Sequence, residues 1–184
     1  MKVGDVVEDF QAIDQHGTPR RLTQLLEEGP LVLYFYPKAF TPGCTKESCH
    51  FRDIAAELSA VGGHAVGISA DTVDKQAAFD QRYGLGFPLL SDSDRHLAKM
   101  FGVKRPGPLF NKRATFVIDT DRKVLAIIAS ELNMDTHADQ AIAVLRQRQA
   151  TAVLGGAPQR WSKSDNDDAV DAPPVAAPGA HSQD

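Results

Sequence analysis

The chain has 184 residues and a formal net charge of −4 at pH 7, which suits a single globular domain with a sizeable core. The acidic balance and the lack of any Lys/Arg-rich run argue against nucleic acid as a partner. No stretch approaches the roughly 18 consecutive apolar residues of a membrane-spanning helix, so no membrane partner is expected.

Cysteine use and the amino-terminal residues bear on location. The first ten residues lack the positively charged start and apolar run of a signal peptide, so a cytoplasmic protein is expected. Two cysteines are too few for a disulfide scaffold. In a reducing compartment, a close cysteine pair is more typical of redox chemistry or metal binding.

The predicted elements alternate along the chain. A hairpin is expected over residues 10–21, with its turn at 15–17, followed by a short helix over 21–28. Continuous apolar runs and turn signals then predict strands at 31–36, 64–69, 87–90, 114–119 and 124–129. Helical spacing and capping residues predict helices at 43–60, 72–83, from Asp92 or Ser93 to near 102, and from 135 to beyond 149. Asp71 is the predicted N-cap of the helix over 72–83, and Gly84 is predicted to end it. This order predicts an α/β protein with a central mixed sheet flanked by helices, an N-terminal hairpin and a thioredoxin-like fold.

The composition changes towards the carboxyl end. Residues 1–154 form the predicted domain, whereas Pro, Ala, Asp, Ser and Gly dominate residues 155–184. A disordered acidic tail is expected there. Its one large apolar residue, Trp161, is interpreted as solvent-exposed or loosely docked, with a partner contact as the alternative.

Both cysteines lie in the segment that follows the first strongly apolar strand. It reads Y-P-K-A-F-T-P-G-C-T-K-E-S-C from Tyr36 to Cys49. Cys44 follows a Thr-Pro-Gly turn and stands at the predicted start of a helix. Because the amino-terminal end of a helix dipole is positive, this position favours the reactive thiolate form.

Two classes of protein are compatible with a close cysteine pair on this fold. One is a thiol-disulfide oxidoreductase, although thioredoxins carry Cys-x-x-Cys and this spacing is Cys-x4-Cys. The other is a metal-binding module using Cys44, Cys49 and His50, which lacks an evident fourth ligand because the other histidines are scattered.

The motif resembles the active-site signature of the peroxiredoxin family, in which Pro, three residues, Thr, two residues and Cys follow one another. Pro37, Thr41 and Cys44 occupy those positions, and Cys49 is similar to the second cysteine of the Q-type branch, also called bacterioferritin comigratory protein. The R-A-T-F-V-I-D segment from Arg113 to Asp119 extends the likeness.

This resemblance implies a peroxidase that reduces hydrogen peroxide and organic hydroperoxides, without a cofactor or a metal. Cys44 would attack the peroxide and Cys49 would resolve the product as an intramolecular disulfide. Thioredoxin or a similar dithiol would be the reductant. The internal resolving thiol requires no second subunit, so a monomer or weak dimer is expected.

Thiolate formation alone is too weak to explain such catalysis. Lowering a free cysteine from a pKa near 8.5 to about 6 raises its thiolate fraction at pH 7 only ~30-fold, or about 2 kcal/mol. Donors aimed at developing charge commonly contribute roughly 10²–10³-fold each. The free N–H groups at the start of the helix are the first candidates.

Four side chains are further candidates, three of them with a structural alternative. Thr41 either serves catalysis or only caps the helix, and Pro37 either shields the pocket from water or only ends the strand. Arg113 is the preferred cation because the resemblance places an Arg there. Its alternative is a surface residue that flanks a strand, and Arg105 and Arg122 are the rival cations. Only the resemblance suggests that Glu47 orients Arg113.

Resolution by Cys49 requires a change of shape. In a regular helix, Cα atoms five residues apart are about 8.6 Å from each other, whereas a disulfide needs less than about 7 Å. The helix start is therefore predicted to unwind on oxidation, helped by the weak helix formers Thr45 and Ser48. The alternative is that Cys49 is a core residue and that an external thiol resolves Cys44.

Three features depart from the family pattern. The V-V-E-D-F segment lacks the usual proline before Phe10, the loop from Lys104 to Lys112 is unusual, and the acidic tail is an addition. These departures concern substrate preference and assembly more than the chemistry.

Overall fold

The computed structural model describes residues 1–107, 109–131 and 133–155, with side chains to residue 152. The strands are β1 Gln11–Asp14, β2 Pro19–Arg21, β3 Leu31–Phe35, β4 His64–Ser69, β5 Leu89–Ser91, β6 Ala114–Ile118 and β7 Val124–Ile128. The helices are α1 Leu22–Glu27, α2 Pro42–Asp53, α3 Ala55–Ala60, α4 Val73–Tyr83, α5 His96–Met100 and α6 Asp135–Gly155. Of the predicted tail, only Gly155 is among the described residues, as the last residue of α6. Trp161 lies outside the described residues.

The strands form one seven-stranded sheet in the order β2-β1-β5-β4-β3-β6-β7. β3, β4 and β5 are parallel, whereas β1 and β6 run antiparallel to their central neighbours and the β6–β7 hairpin closes one edge. The predicted mixed sheet with an N-terminal hairpin is therefore confirmed. Helix α2 follows the carboxyl end of β3, which lies between β4 and β6 in the sheet.

The core lies on both faces of the sheet, because every residue of β3 is buried. Leu31, Leu33 and Phe35 pack into one cluster with α1, α5 and the inner face of β6. The alternate residues Val32 and Tyr34 pack into the other, which contains α2, α4 and α6. This alternation follows from the period of two in a strand and explains the continuous apolar run in the sequence.

The single helix predicted over residues 43–60 is wrong. Ile54, with φ −98° and ψ 9°, leaves helical geometry and divides the stretch into α2 and α3. Ile54 remains buried against the α2 face of the core. The apolar spacing that suggested one helix is thus preserved across the break, which is why the sequence pattern did not reveal it.

Two capping predictions also need correction. Thr72, not Asp71, is the N-cap of α4, and the Asp71 carboxylate instead accepts the Ala39 N–H at 2.7 Å. The short helix α5 begins only at His96, although Asp92 accepts the N–H groups of Leu97 and Ala98 at 3.0 and 2.8 Å. Both carboxylates therefore hold neighbouring backbone in place from outside the helices.

Candidate active site

A short loop connects β3 to α2, and hydrogen bonds hold it in place. The Ala39 N–H bonds to Asp71, and Asp71 also accepts the Ser69 hydroxyl at 2.8 Å. Phe40 takes a positive φ of 68°, which turns the chain into the helix start. The loop is thus tied to the carboxyl end of β4, and this tie fixes where α2 begins.

Cys44 lies in the first turn of α2 and its side chain is fully buried. Pro42 occupies the first helical turn, and the N-cap residue Thr41 makes no side-chain bond to the helix. The first N–H groups of an α-helix have no intrahelical acceptor. The N–H groups of Gly43 and Cys44 are therefore available to a negative charge that forms beside the sulfur.

Thr41 and Pro37 both lie in the loop that leads to Cys44 and are half-buried. The Thr41 hydroxyl donates to the Lys38 carbonyl at 2.9 Å, so its oxygen lone pairs can still accept a hydrogen bond. Pro37 presents no N–H at the start of the loop.

Arg113 meets Cys44 from the adjacent strand. It directly precedes β6, whose Ala114 pairs with Phe35 at the end of β3, so the register brings Arg113 beside the loop that leads to α2. Its Nη2 lies 3.3 Å from the Cys44 Sγ, and its Nη1 donates to the Glu47 carboxylate. One planar guanidinium thus contacts both groups at once, a geometry that suits Arg and not Lys.

Gly43 makes room for this arrangement. A Cβ atom at Gly43 would lie 3.3 Å from the Arg113 Nη2 and 3.5 Å from the Met134 Sδ.

The two rival arginines do not contact the Cys44 sulfur. Arg105 pairs with Glu131 at 2.5 Å, and Arg122 belongs to the β6–β7 turn with a φ of 68°.

Burial governs the ionisation of the groups around the sulfur. It raises the pKa of Glu47 to about 7, although Arg113 partly offsets this effect. Burial also opposes the charge of Arg113, but Glu47 and Cys44 outweigh it and raise the pKa of the guanidinium. Arg113 therefore remains a cation under all ordinary conditions, while Glu47 is the group that can change its charge.

His137 is a further buried group next to this pair, which sequence reasoning missed. It is fully buried on α6, and its Nδ1 lies 3.8 Å from the Glu47 Oε1. Burial lowers the pKa of His137 despite the hydrogen bond to the Ser130 carbonyl. A signal was available in the sequence, because His137 directly precedes the apolar stripe of α6 that includes Ala138, Ala141 and Leu145.

Cys49 lies later in α2 and is a free, half-buried thiol. Both cysteines are therefore within one intact helix in this structure. The hydroxyl of the neighbouring Ser48 forms a hydrogen bond of 2.9 Å with the Tyr34 hydroxyl. His50 pairs with Asp139 of α6 at 3.0 Å, so its ring is directed at a carboxylate and not at the two thiols.

A cavity of about 290 Å³ lies next to the start of β6. Its apolar lining includes Phe101, Ala114 and Phe116, which belong to the core cluster that does not contain Cys44. Arg113 also lines this cavity and contacts the Cys44 Sγ. The cavity therefore adjoins the thiol site through Arg113.

Among the described residues, no helix is both long and apolar enough to cross a bilayer.

The comparisons with known proteins agree with this geometry. The profile of the AhpC/TSA family matches residues 3–127, so the chain belongs to that family of thiol peroxidases. A Mycobacterium tuberculosis protein named as a peroxiredoxin is 59% identical over 149 residues, which are 79% of this chain and 97% of that protein. Peroxiredoxin Bcp of Escherichia coli is 35% identical over 153 residues, covering 80% of this chain and 97% of that protein.

Solved structures support the same assignment. The crystal structure of peroxidoxin BcpB from Mycobacterium tuberculosis has a TM-score of 0.78 and 57% identity, covering 80% of this chain and 97% of that one. A bacterioferritin comigratory protein of Xanthomonas campestris, studied for alkyl peroxide reduction, has a TM-score of 0.72 and 28% identity over 79% of this chain and 99% of that one.

The chain is thus a thioredoxin-fold peroxiredoxin of the Q-type, or Bcp, branch, and a thiol-dependent peroxidase. The alternative of a disulfide oxidoreductase without peroxidase activity is not favoured, because the relatives carry peroxiredoxin names. The family and the fold expected from the resemblance are confirmed.

Proposed function

We propose that Cys44 is the peroxidatic residue and that it reduces hydrogen peroxide and organic hydroperoxides. The single observation that carries this assignment is the 3.3 Å contact between the Arg113 Nη2 and the Cys44 Sγ. A cation at that distance stabilises a thiolate in a site from which water is excluded. Organic hydroperoxides are included because the related Xanthomonas campestris protein was studied for alkyl peroxide reduction.

In the first step the thiolate attacks one oxygen of the O–O bond. A sulfenic acid forms on Cys44, and the other oxygen leaves as an alkoxide or hydroxide that takes up a proton and departs as an alcohol or water. Arg113 and the N–H groups of Gly43 and Cys44 supply the positive field for the departing oxygen. Thr41 accepts a hydrogen bond from the incoming peroxide, and Pro37 shields the sulfur from water.

In the second step the Cys49 thiol condenses with the sulfenic acid. A disulfide forms and one water leaves. Thioredoxin or a similar dithiol then reduces the disulfide by thiol exchange. Since both thiols lie on one chain, a monomer or weak dimer suffices, and the need for a reducing thiol pool favours a cytoplasmic location.

Because the cysteines are five residues apart on a helix, the second step requires the start of α2 to unwind. Crystals of reduced and oxidised protein test this step. An oxidised form in which α2 remains helical from Cys44 to Cys49 would contradict it.

Intact mass spectrometry after one equivalent of hydrogen peroxide tests the whole scheme. We expect the mass of the reduced protein to fall by two hydrogens in the wild type, and peroxide consumption to stop in Cys44→Ser. An unchanged mass in the wild type, or full peroxidase activity in Cys44→Ser, contradicts the assignment.

A further inference from the structure

His137 and Glu47 form a buried contact that the scheme above does not use. The Glu47 Oε2 accepts from Arg113, whereas its Oε1 is buried and has no hydrogen-bond partner among the described residues. The His137 Nδ1 lies 3.8 Å from this Oε1, and neither side chain is exposed to solvent. A buried carboxylate oxygen without a partner is unfavourable, so this atom calls for an explanation.

The hydrogen bonds of His137 fix one of its protons. Its Nε2 lies 2.8 Å from the Ser130 carbonyl, which can only accept, so Nε2 carries a hydrogen. Its Nδ1 lies 2.9 Å from the Thr115 hydroxyl, which donates to Nδ1 while the ring is neutral. The Nδ1 lone pair and the Glu47 Oε1 then face each other without a hydrogen between them.

One added proton resolves this conflict. If Nδ1 is protonated, its hydrogen is directed at Glu47 and the Thr115 hydroxyl can no longer donate to it. If Oε1 is protonated, the negative charge next to Arg113 disappears. In both cases the two groups together become one unit less negative, and the attraction between Arg113 and the sulfur is less offset by Glu47.

We propose that His137 is a positioning residue for the Glu47–Arg113 pair, and that Glu47 and His137 hold one exchangeable proton between Oε1 and Nδ1. The presence of this proton strengthens the stabilisation that Arg113 gives to the Cys44 thiolate. The proton comes from and returns to solvent, and His137 itself does not touch the substrate. This inference rests on the proposed role of Cys44 as the attacking thiol.

Charged and titratable groups reach this pair from every element around it. Cys44 faces it from α2 and Arg113 from the start of β6. Glu131, in the loop before α6, acts on Glu47 and His137 through its charge, and Glu47 acts likewise on the buried Tyr34 of β3. Burial is the main cause of both the raised pKa of Glu47 and the lowered pKa of His137. It therefore disfavours the charged form of each of the two side chains.

The test is the pH dependence of the first turnover with hydrogen peroxide, measured in a Cys49→Ser background so that the reaction stops at the sulfenic acid. His137→Gln keeps a donor for the Ser130 carbonyl but cannot titrate. We expect this substitution to move the pH midpoint of the reaction upwards by about half a unit to one unit. At pH values below the midpoint, the rate of Cys44 oxidation should then be roughly 3- to 10-fold lower. In a Glu47→Gln background the same change should have no further effect, because the proton-sharing partner is absent.

Thr115→Val provides an independent check of nearly equal side-chain volume. It removes the donor that favours the neutral ring, so Nδ1 protonation towards Glu47 becomes easier and the midpoint should move downwards. His64→Gln is the matched control, because His64 is also poorly exposed but lies at the opposite end of β4 from the site. It should leave the midpoint unchanged.

Equal shifts from His137→Gln in the two Glu47 backgrounds would indicate a general structural effect and overturn the inference. So would an upward shift in Thr115→Val, which decides the matter even if His137→Gln fails to fold. Failure of the proposed function itself would be recognised separately, as peroxidase activity that persists in Cys44→Ser.

Discussion

Replacing Arg113 with Lys is the most direct test of the arrangement around the sulfur. The guanidinium reaches the Cys44 Sγ with Nη2 at 3.3 Å and Glu47 with Nη1. A lysine ammonium is a single nitrogen and cannot make both contacts from one position. Pairing with the Glu47 carboxylate would therefore leave the sulfur without its charged donor.

The size of the effect follows from that lost contact. A hydrogen bond to a charged group contributes about 1.5–3 kcal/mol, which corresponds to a roughly 10- to 150-fold lower rate of Cys44 oxidation. Rapid quenching followed by intact mass spectrometry measures this rate with hydrogen peroxide in the Cys49→Ser background.

Arg148→Lys is the matched control for this experiment. Arg148 also pairs with a carboxylate, that of Asp119 at 2.7 Å, but it lies on α6 away from the sulfur. Its replacement should leave the oxidation rate unchanged. If Arg113→Lys folds normally and reacts within about threefold of the parent, less than ~0.7 kcal/mol, the role given to the guanidinium is refuted.

Three further outcomes are expected. Peroxide treatment of Cys49→Ser should give a sulfenic acid that dimedone traps, instead of the loss of two hydrogens; an untrappable product would argue against resolution by Cys49. Burial raises the pKa of Glu47 from 4.5 to about 7, so between these pH values the folded state keeps a proton that the unfolded state has lost. The unfolding free energy measured by urea titration should therefore fall as the pH rises from 4.5 to about 7. Glu47→Gln should flatten this slope and the exposed Glu57→Gln should not. Tyr34→Phe leaves the Ser48 hydroxyl without its partner and should lower the unfolding free energy by about 1 kcal/mol; no change would show that this bond does not hold α2.

The strands could be predicted because their physics is local. The continuous apolar run of β3 is what a strand buried on both faces requires, and the structure confirms it. Gly84 likewise ends α4 in the left-handed conformation, with a φ of 58°, as its sequence position predicted. The break between α2 and α3 at Ile54 was not predicted, because the apolar spacing is the same on both sides of it.

The candidate site divides in the same way. The position of Cys44 at a helix start depends on a few adjacent residues, so the sequence alone identified it. The partners of Glu47 come from residues 66 positions away in Arg113 and 90 positions away in His137. The resemblance suggested the first. For the second, the sequence showed only that His137 directly precedes the apolar stripe of α6, and not that it lies beside Glu47.

What the sequence determined by itself is therefore the thiol at the head of a helix, the order of strands and helices, and the family. Only the tertiary structure decided which charges surround that thiol. Helix starts and strand burial arise from neighbours in the chain, whereas the field at the Cys44 sulfur depends on the register of β6 against β3 and on the packing of α6 over α2. Such distant contacts form only when the whole fold buries them together.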